Sequence, residues 1–358
     1  MKKIVLTGGG TAGHVTPNLA LLPGLKELGY EIHYIGSKNG IEKELVEKEG
    51  LPYYGISSGK LRRYFDVKNF TDPFRVMKGF HEAVKIMKQL RPDVVFSKGG
   101  FVAVPVVAAA KRCRIPAVIH ESDMTPGLAN RLSIPSASRV CCNFPETLSR
   151  LPAEKAVWTG CPIRKELLEG NRGEGLKFAG FSDDKPVLMM MGGSIGSVHI
   201  NEVLRAILPE LLKDFQVLHL CGKGNLDASK NELNGYRQLE YVSKELPDLF
   251  AAADIVLSRA GANAISELLA LRKPNLLVPL SLAASRGDQI LNASSFENQG
   301  YSAVLQEEKM TEETLLSAIR SLYQDREAYR LAMEKSETRD AVNKVLSIIE
   351  ECAALKKK

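Results

Sequence analysis

The chain has 358 residues, of which 44% are hydrophobic and 25% charged, and its formal net charge is +6. Because one hydrophobic core rarely serves a chain of this length, we expect two domains of globular composition. No apolar run approaches the ~18 residues that cross a bilayer, and the first residues lack the pattern of a signal peptide, so we expect a cytosolic chain.

Strand-like apolar runs alternate with helical patterns along the first half of the chain. Residues Asn18–Leu28 have the helical pattern, which ends at Gly29, a residue type that often follows the last turn of a helix. Such alternation is typical of an α/β fold with parallel sheets and helices on both faces. The runs that predict strands here are Ile4–Leu6, Ile32–Ile35, Val94–Phe96, Ala117–Ile119 and Val140–Cys142.

The second half repeats the alternation and predicts a second doubly wound unit. The stretch 160–185 is rich in Gly, Pro and charge and indicates the boundary. We expect a first domain over residues 1–162, a second over 163–338, and a last helix over 339–358 that packs back on the first domain. One or two helices are predicted over 326–355, and the strand-like runs are Val187–Met191, Val217–Leu220, Ile255–Leu257, Leu276–Pro279 and Ala303–Leu305.

Three glycine turns come directly after apolar runs and before helical patterns, at Gly8–Gly13, Gly99–Gly100 and Gly192–Gly193. Glycine lets a ligand approach the backbone, and a helix start offers unpaired N–H groups and partial positive charge, so these turns suit phosphate groups. A tight strand-to-helix turn without a ligand is the alternative for any single one. Three together favour a ligand with a diphosphate, or two such ligands.

The first turn also matches the Gly-x-Gly-x-x-Gly fingerprint of dinucleotide-binding proteins. That fingerprint expects an acidic residue at the end of the second strand to hold the ribose hydroxyls. Here Gly36 and Ser37 follow Ile35, so the fingerprint is incomplete.

Ionisable residues follow two of the predicted strands. His14, just after the first glycine turn, can take a proton from a hydroxyl or hold a phosphate, with a partly buried structural histidine as the alternative. His120, Glu121 and Asp123 lie together beyond a strand, where a general base or substrate clamp is the functional interpretation and a helix-capping cluster the structural one.

The second half carries its own polar set. Arg259 and Gly261 lead from a strand into a helix with Glu267 in its second turn, where a carboxylate can reach sugar hydroxyls; an ordinary solvated or capping glutamate is the alternative. Residues Arg286–Gln289, at a loop that enters a helix, are also suited to hydroxyls.

A basic segment, residues 59–91, contains nine Lys or Arg against three Asp or Glu. Its interleaved aromatic residues suit an anionic membrane surface. Nucleic acid is the competing partner, but no recognised nucleic-acid module accompanies the segment. The structural alternative has the aromatics in the core and the charges solvated.

The six cysteines have neither Cys-x-x-Cys nor zinc-like Cys/His spacing, so we expect reduced thiols and no protein-held metal. They are Cys113, Cys141, Cys142, Cys161, Cys221 and Cys352.

Seven ordered motifs resemble those of the MurG family of peptidoglycan glycosyltransferases, in glycosyltransferase family 28. They extend from the first residues to about Ala293 and read "TGGGTAGHVTP", "SKGGFVAVP", "IHESDMTPGLAN", "TGCPIR", "MGGSIGS", "SRAGANAISELLAL" and "RGDQILNA". The sequence departs from common family patterns at Ser122–Asp123, Ile195 and Arg286–Gln289.

The resemblance implies a GT-B fold, with two Rossmann-like doubly wound domains facing across a cleft. It implies an inverting hexosyltransferase that moves N-acetylglucosamine (GlcNAc) from UDP-GlcNAc to lipid I, undecaprenyl-diphosphate-linked muramyl pentapeptide, making lipid II. No cofactor or bound metal is implied. The implied location is peripheral, on the cytoplasmic face of an anionic inner membrane, with other cell-wall synthesis proteins as candidate partners and no nucleic acid.

The residue patterns described above and the resemblance together give expected roles to individual residues. Catalysis is expected from His14 and Glu121, and acceptor diphosphate binding from Gly10, Gly99 and Gly100. Membrane docking is expected from Arg62, Arg63, Tyr64, Phe65, Phe70 and Phe74. Donor or substrate contacts are expected from Thr11, Ala12, Gly13, Asp123, Arg164, Ser194, Val242, Gly261, Glu267 and Gln289.

Four alternatives stay open at this point. A diacylglycerol galactosyltransferase would keep the fold and change the acceptor. A UDP-sugar epimerase would use the donor site without needing the basic segment, an NAD-dependent oxidoreductase would need the missing acidic residue, and a nucleotide-sugar sensor would tolerate loss of His14.

Overall fold

A computed structural model describes residues 1–59, 68–193, 196–282, 287–336 and 340–356, with the side chains of residues 68–73 outside the description. The chain divides into two compact units. The N-terminal unit comprises Met1–Arg164 and Asp340–Lys358, and the C-terminal unit comprises Lys165–Arg339. Each unit is a parallel sheet with helices, so the chain has an α/β fold.

The N-terminal unit contains a seven-stranded sheet in the order β3-β2-β1-β4-β5-β6-β7, with every pair parallel. The central strands are covered on both faces, which is why they form continuous apolar runs in the sequence. The strands are β1 Lys2–Thr7, β2 Tyr30–Ser37, β3 Tyr53–Ile56, β4 Val94–Ser97, β5 Ala117–Glu121, β6 Arg139–Cys142 and β7 Ala156–Trp158.

One predicted helix of this unit is wrong in its extent. The pattern Asn18–Leu28 forms two helices joined at Leu21, because Pro23, in the first turn of the second helix, has no N–H to continue the first. The helices of the unit are α1 Thr16–Ala20, α2 Leu22–Glu27, α3 Ile41–Lys48, α4 Lys68–Leu90, α5 Ala103–Arg112 and α6 Leu128–Ser133.

The last helix of the chain also belongs to the N-terminal unit. It spans Ala341–Leu355, and its buried Val345 and Ile349 share a core with Ile4 and Leu25. Polar contacts fix its outer face, since Glu350 accepts hydrogen bonds from Tyr30 and Lys2. The chain therefore returns to its first unit after completing the second.

The C-terminal unit contains a six-stranded parallel sheet in the order β10-β9-β8-β11-β12-β13. The strands are β8 Val187–Met191, β9 Gln216–Leu220, β10 Tyr236–Leu239, β11 Ile255–Ser258, β12 Asn275–Leu277 and β13 Ser302–Val304. The helices are α7 Arg172–Ala179, α8 Val198–Ala206, α9 Leu208–Asp214, α10 Leu246–Ala252, α11 Ala262–Ala270, α12 Asp288–Asn298, α13 Glu312–Gln324 and α14 Arg326–Glu334; the last helix of the chain is α15.

Strand order decides which turns meet. In the N-terminal unit β1, β4 and β5 are consecutive neighbours, so the turns after Thr7, Ser97 and Glu121 lie side by side at one edge of the sheet. In the C-terminal unit the same holds for the turns after β8, β11 and β12. Ligands of open α/β sheets bind at this carboxyl edge.

Within the described ranges, no helix is long and apolar enough to cross a membrane.

Candidate functional site

The first two glycine turns of the N-terminal unit are packed against each other. A Cβ atom on Gly100 would overlap the carbonyl oxygen of Gly9, and Gly100 has a φ of 85°, which disfavours any other residue. A Cβ on Gly99 would lie 3.2 Å from Asn130 Oδ1. The sequence therefore needs glycine here for close packing of two backbones.

The open side of the first turn carries several of the residues expected to bind ligands. Gly10, Thr11 and Ala12 are exposed and Gly13 is half-buried. The Gly10 N–H, however, donates to Glu42 Oε2 at 3.1 Å, so this N–H is not aimed at a ligand.

Glu42 on α3 supports the first glycine turn, a role that no sequence pattern predicted. Its carboxylate is fully buried and accepts hydrogen bonds from the N–H of Gly10 at 3.1 Å and of Ser37 at 2.9 Å. A Cβ on Gly9 would overlap this carboxylate. An acidic residue in the first turn of a helix is common, so the sequence gives no signal for this role.

His14 ends a 3-10 turn, Ala12–His14, directly beside this packed pair of turns. Its Nδ1 lies 3.0 Å from Thr11 Oγ1. The pKa of His14 is lowered to about 4, chiefly by burial and also by the positive charge of Lys98, against the opposing effects of a hydrogen bond with the Gly9 backbone and the charge of Glu42. The imidazole is therefore neutral at pH 7.

His120, at the end of β5, is completely buried. Its Nε2 lies 2.8 Å from the carbonyl oxygen of Gly160 and its Nδ1 lies 2.8 Å from Lys98 Nζ, which also bonds Ser122 Oγ. Burial holds the pKa of His120 well below its usual range, and Lys98 adds to this. This geometry makes His120 a neutral acceptor for the Lys98 ammonium, not the general base or clamp that the sequence suggested.

Glu121 organises the loop after β5. Its Oε2 accepts from the Gly127 N–H and from Asn130 Nδ2, each at 2.9 Å, and its Oε1 accepts from the Asp123 N–H at 3.0 Å. Burial raises its pKa despite these hydrogen bonds. Both oxygens of Glu121 therefore position this loop, and the catalytic role of Glu121 stays a prediction.

The C-terminal unit carries a pocket of about 230 Å³ at the ends of β8, β11 and β12. It lies at the third glycine turn, where Gly193 has a φ of 85° and a Cβ on Gly196 would overlap the carbonyl oxygen of Cys221. The lining residues are Met191, Gly192, Gly193, Gly196, Ser258, Arg259, Gly261, Ala264, Leu280 and Gln289.

Arg259 connects three loops around this pocket through hydrogen bonds. Its guanidinium donates to Ser197 Oγ at 2.6 Å and to the Val278 carbonyl at 3.1 Å, and it pairs with Glu307 Oε1 at 2.5 Å. Burial alone would raise the pKa of Glu307, but the hydrogen bond from Arg259 holds it below its ordinary value. Glu307 lies 48 positions from Arg259 along the chain, and no sequence pattern predicted this ion pair.

The remaining residues expected at the donor site lie in the C-terminal unit or at its border. Gln289 Oε1 accepts from the Leu280 N–H at 3.1 Å and so shapes the pocket wall. Glu267 is half-buried on α11, Val242 is buried in the loop after β10, and Arg164 has a buried Nε without a hydrogen-bond partner among the described residues. Ser194, Ile195 and Arg286 lie outside the described residues.

The described part of the basic segment leaves apolar side chains exposed. Phe74 is 78% exposed and Met77 is 55% exposed, both on α4. Arg62, Arg63, Tyr64 and Phe65, and the side chain of Phe70, lie outside the described residues.

In the part of the chain that the structure describes, no group of three His, Cys, Asp or Glu side chains is arranged to hold a metal ion.

Comparison with known proteins identifies both units. The glycosyltransferase family 28 N-terminal domain matches residues 4–142, and the corresponding C-terminal domain matches residues 187–351. The chain belongs to glycosyltransferase family 28. Family 28 membership makes it a glycosyltransferase with a GT-B fold, as the sequence motifs predicted.

Two bacterial relatives are similar over nearly their whole length. A protein of Lachnoclostridium phytofermentans is 67% identical, with 98% of this chain and 99% of the relative covered. One of Clostridium perfringens is 60% identical, with 98% of each covered. Both are named UDP-N-acetylglucosamine–N-acetylmuramyl-(pentapeptide) pyrophosphoryl-undecaprenol N-acetylglucosamine transferase.

Solved structures share the fold. MurG of Acinetobacter baumannii is 26% identical, with a TM-score of 0.76 and coverage of 98% of this chain and 100% of that chain. The UDP-GlcNAc 2-epimerase of Methanocaldococcus jannaschii is 14% identical, with a TM-score of 0.67 and coverage of 97% and 99%. The second similarity concerns the fold alone.

We predict that Glu42→Gln loosens the first glycine turn. The amide of glutamine offers one acceptor oxygen, so one buried N–H donor loses its partner, at a cost of about 1–3 kcal/mol. Urea unfolding gives the loss of stability, and hydrogen exchange at the Gly10 amide reports it locally. The control is Glu44→Gln, because Glu44 is exposed on the same helix and paired with Lys48. This variant should change neither quantity. Equal effects of the two variants would contradict the role of Glu42.

Proposed function

We propose that this protein transfers GlcNAc from UDP-GlcNAc to lipid I, producing lipid II for peptidoglycan. The observation that carries the proposal is the relative that is 67% identical over 98% of the chain and whose name states this transfer. The match covers both units and therefore all three glycine turns.

The C-terminal pocket suits the diphosphate of the sugar donor. The Gly192–Gly193 turn precedes α8, and Gly261, which also lines the pocket, directly precedes α11. Partial positive charge at a helix start stabilises a phosphate by about 0.3–2 kcal/mol. Because Glu307 already offsets the charge of Arg259, the backbone groups at these helix starts are the main attraction for the departing UDP. We expect Glu267 and Gln289 to contact hydroxyls of the donor.

The N-terminal unit supplies the proton acceptor. Nδ1 of His14 lies 3.0 Å from Thr11 Oγ1, and in the tautomer that donates Nδ1–H to this oxygen the other ring nitrogen, Nε2, carries a lone pair. It takes the proton as the acceptor oxygen forms its bond to the anomeric carbon and the bond from that carbon to the UDP oxygen breaks, which inverts the configuration. Acceptor diphosphate beside Gly99 and Gly100 adds negative charge, which raises the pKa of His14 towards the working pH.

The lipid acceptor places the reaction at a membrane, and we propose a peripheral position on its cytoplasmic face. Helix α4 presents exposed Phe74 and Met77 beside the basic residues Arg75 and Lys78. Apolar side chains next to cations favour binding at an anionic lipid surface, with each cation contributing about 1 kcal/mol.

We predict that the purified protein transfers labelled GlcNAc from UDP-GlcNAc to a soluble lipid I analogue with EDTA present. His14→Gln should lower kcat/KM by at least ~100-fold, the scale of a lost general base. His81→Gln, at an exposed histidine, is the matched control and should keep activity. Transfer to diacylglycerol instead, or epimerisation of the donor without transfer, would reject lipid I as the acceptor, and near-normal turnover of His14→Gln would remove His14 from the mechanism.

We also predict that Glu267→Gln weakens UDP-GlcNAc binding by roughly tenfold, the effect of one lost hydrogen bond to a charged group. Isothermal titration calorimetry measures the donor affinity. Glu297→Gln, exposed on α12, should bind the donor like the parent protein; unchanged affinity in Glu267→Gln would rule out the sugar or ribose contact.

A further inference from the structure

Among the described residues that line the C-terminal pocket, Arg259 is the only charged one. Its side chain is 12% exposed, so water screens its charge only weakly. A guanidinium group is a strong binding partner for phosphate when its charge is not already used. The counter-ion of Arg259 therefore influences how tightly this pocket holds a diphosphate.

That counter-ion is Glu307, in the 3-10 turn Glu307–Lys309 that follows β13. Its Oε1 lies 2.5 Å from Arg259 Nη2, and its side chain is 14% exposed. Burial alone would raise the pKa of Glu307, but the hydrogen bond from Arg259 keeps it below its ordinary value, so the carboxyl group is ionised at neutral pH. Glu307 therefore offsets the charge of Arg259 without itself lining the pocket.

The guanidinium group does not depend on Glu307 alone for its position. Its Nη2 also donates to Ser197 Oγ at 2.6 Å, and its Nη1 donates to the Val278 carbonyl oxygen at 3.1 Å. The second oxygen of Glu307, Oε2, accepts from the Ser281 N–H at 3.2 Å. Loss of the carboxylate charge would thus leave Arg259 held at two other points, as an uncompensated cation in the pocket wall.

The product and the donor of the proposed reaction differ in charge. The terminal phosphate of free UDP loses a second proton with a pKa of about 6 and so carries about one more negative charge than the diphosphate of UDP-GlcNAc, where the sugar esterifies that phosphate. An uncompensated Arg259 would therefore raise the affinity for UDP more than the affinity for UDP-GlcNAc. Tighter binding of UDP would slow its release after transfer.

We propose that Glu307 is a positioning residue that favours release of UDP, because its carboxylate offsets the charge of Arg259 in the pocket wall. The inference rests on the proposed function, which places the diphosphate of the donor in this pocket. A glutamate that merely connects the turn after β13 to the loop after β12 would support the shape of the pocket. Such a residue would have no influence on the selectivity between UDP and UDP-GlcNAc.

The test compares the binding of UDP, UDP-GlcNAc and uridine by isothermal titration calorimetry at pH 8. Glu307→Gln removes the charge and keeps one oxygen for the Ser281 N–H. The affinity for UDP should rise roughly tenfold, the effect of one additional contact with a charged group. The affinity for UDP-GlcNAc should rise less, and the affinity for uridine, which has no phosphate, should not change.

Two further variants show whether the effect belongs to this ion pair. Glu308→Gln, at an exposed glutamate of the same 3-10 turn, is the matched control and should bind all three ligands like the parent protein. In an Arg259→Gln background, Glu307→Gln should leave the affinity for UDP unchanged, because Glu307 acts through the charge of Arg259.

Unchanged or weaker UDP binding in folded Glu307→Gln overturns the proposal, as do equal gains for UDP and UDP-GlcNAc. Parallel losses for UDP and uridine also overturn it, since they indicate a role in pocket shape alone. If Glu307→Gln does not fold, as judged by thermal unfolding, Glu307→Met is measured in its place with the same criteria.

The outcomes for Glu307 and for the proposed function can be told apart. Calorimetry needs no acceptor, so absence of transfer to lipid I would reject the proposed function while UDP binding still decides the role of Glu307. Absence of UDP binding by the parent protein would reject the nucleotide site and, with it, the role of Glu307.

Discussion

The close contact between two glycine turns is the constraint on which the N-terminal site depends. Gly9 and Gly100 touch because Gly100 carries no side chain, and a side chain on Gly9 would overlap Glu42. The two turns follow the neighbouring strands β1 and β4. Glu42 supports one turn from beneath, and Lys98 emerges from the start of the other. His14 packs against the first of these turns, since a Cβ on Gly8 would overlap the His14 carbonyl oxygen.

The buried basic side chains of the two units have different partners. In the C-terminal pocket the cation Arg259 is offset by Glu307, so attraction for phosphate comes from helix starts and backbone N–H groups. In the N-terminal unit the side chain of Lys98 contacts His120 and Ser122, and no carboxylate among the described residues pairs with it. Under the proposed transfer, the first arrangement suits an anionic nucleotide that has to bind and then leave.

Sequence patterns predicted the central strands well, because burial on both faces gives them unbroken apolar runs. The edge strands β3, β7 and β10 were missed, since they are only three or four residues long and partly exposed. The positions of His120 and Glu121 at a strand end were predicted, but the partners of their side chains were not. Those partners come from distant segments, as the Lys98–His120 and Asn130–Glu121 hydrogen bonds illustrate.

The division of labour between the units is tested most directly by Gly100→Ala, assayed for GlcNAc transfer and, by calorimetry, for UDP-GlcNAc affinity. The added methyl group forces the two turns apart at a backbone angle that favours glycine. The account predicts a loss of transfer of about a hundredfold, on the scale of a misplaced proton acceptor, with donor affinity unchanged. Normal transfer, or a donor affinity reduced as much as transfer, would contradict it.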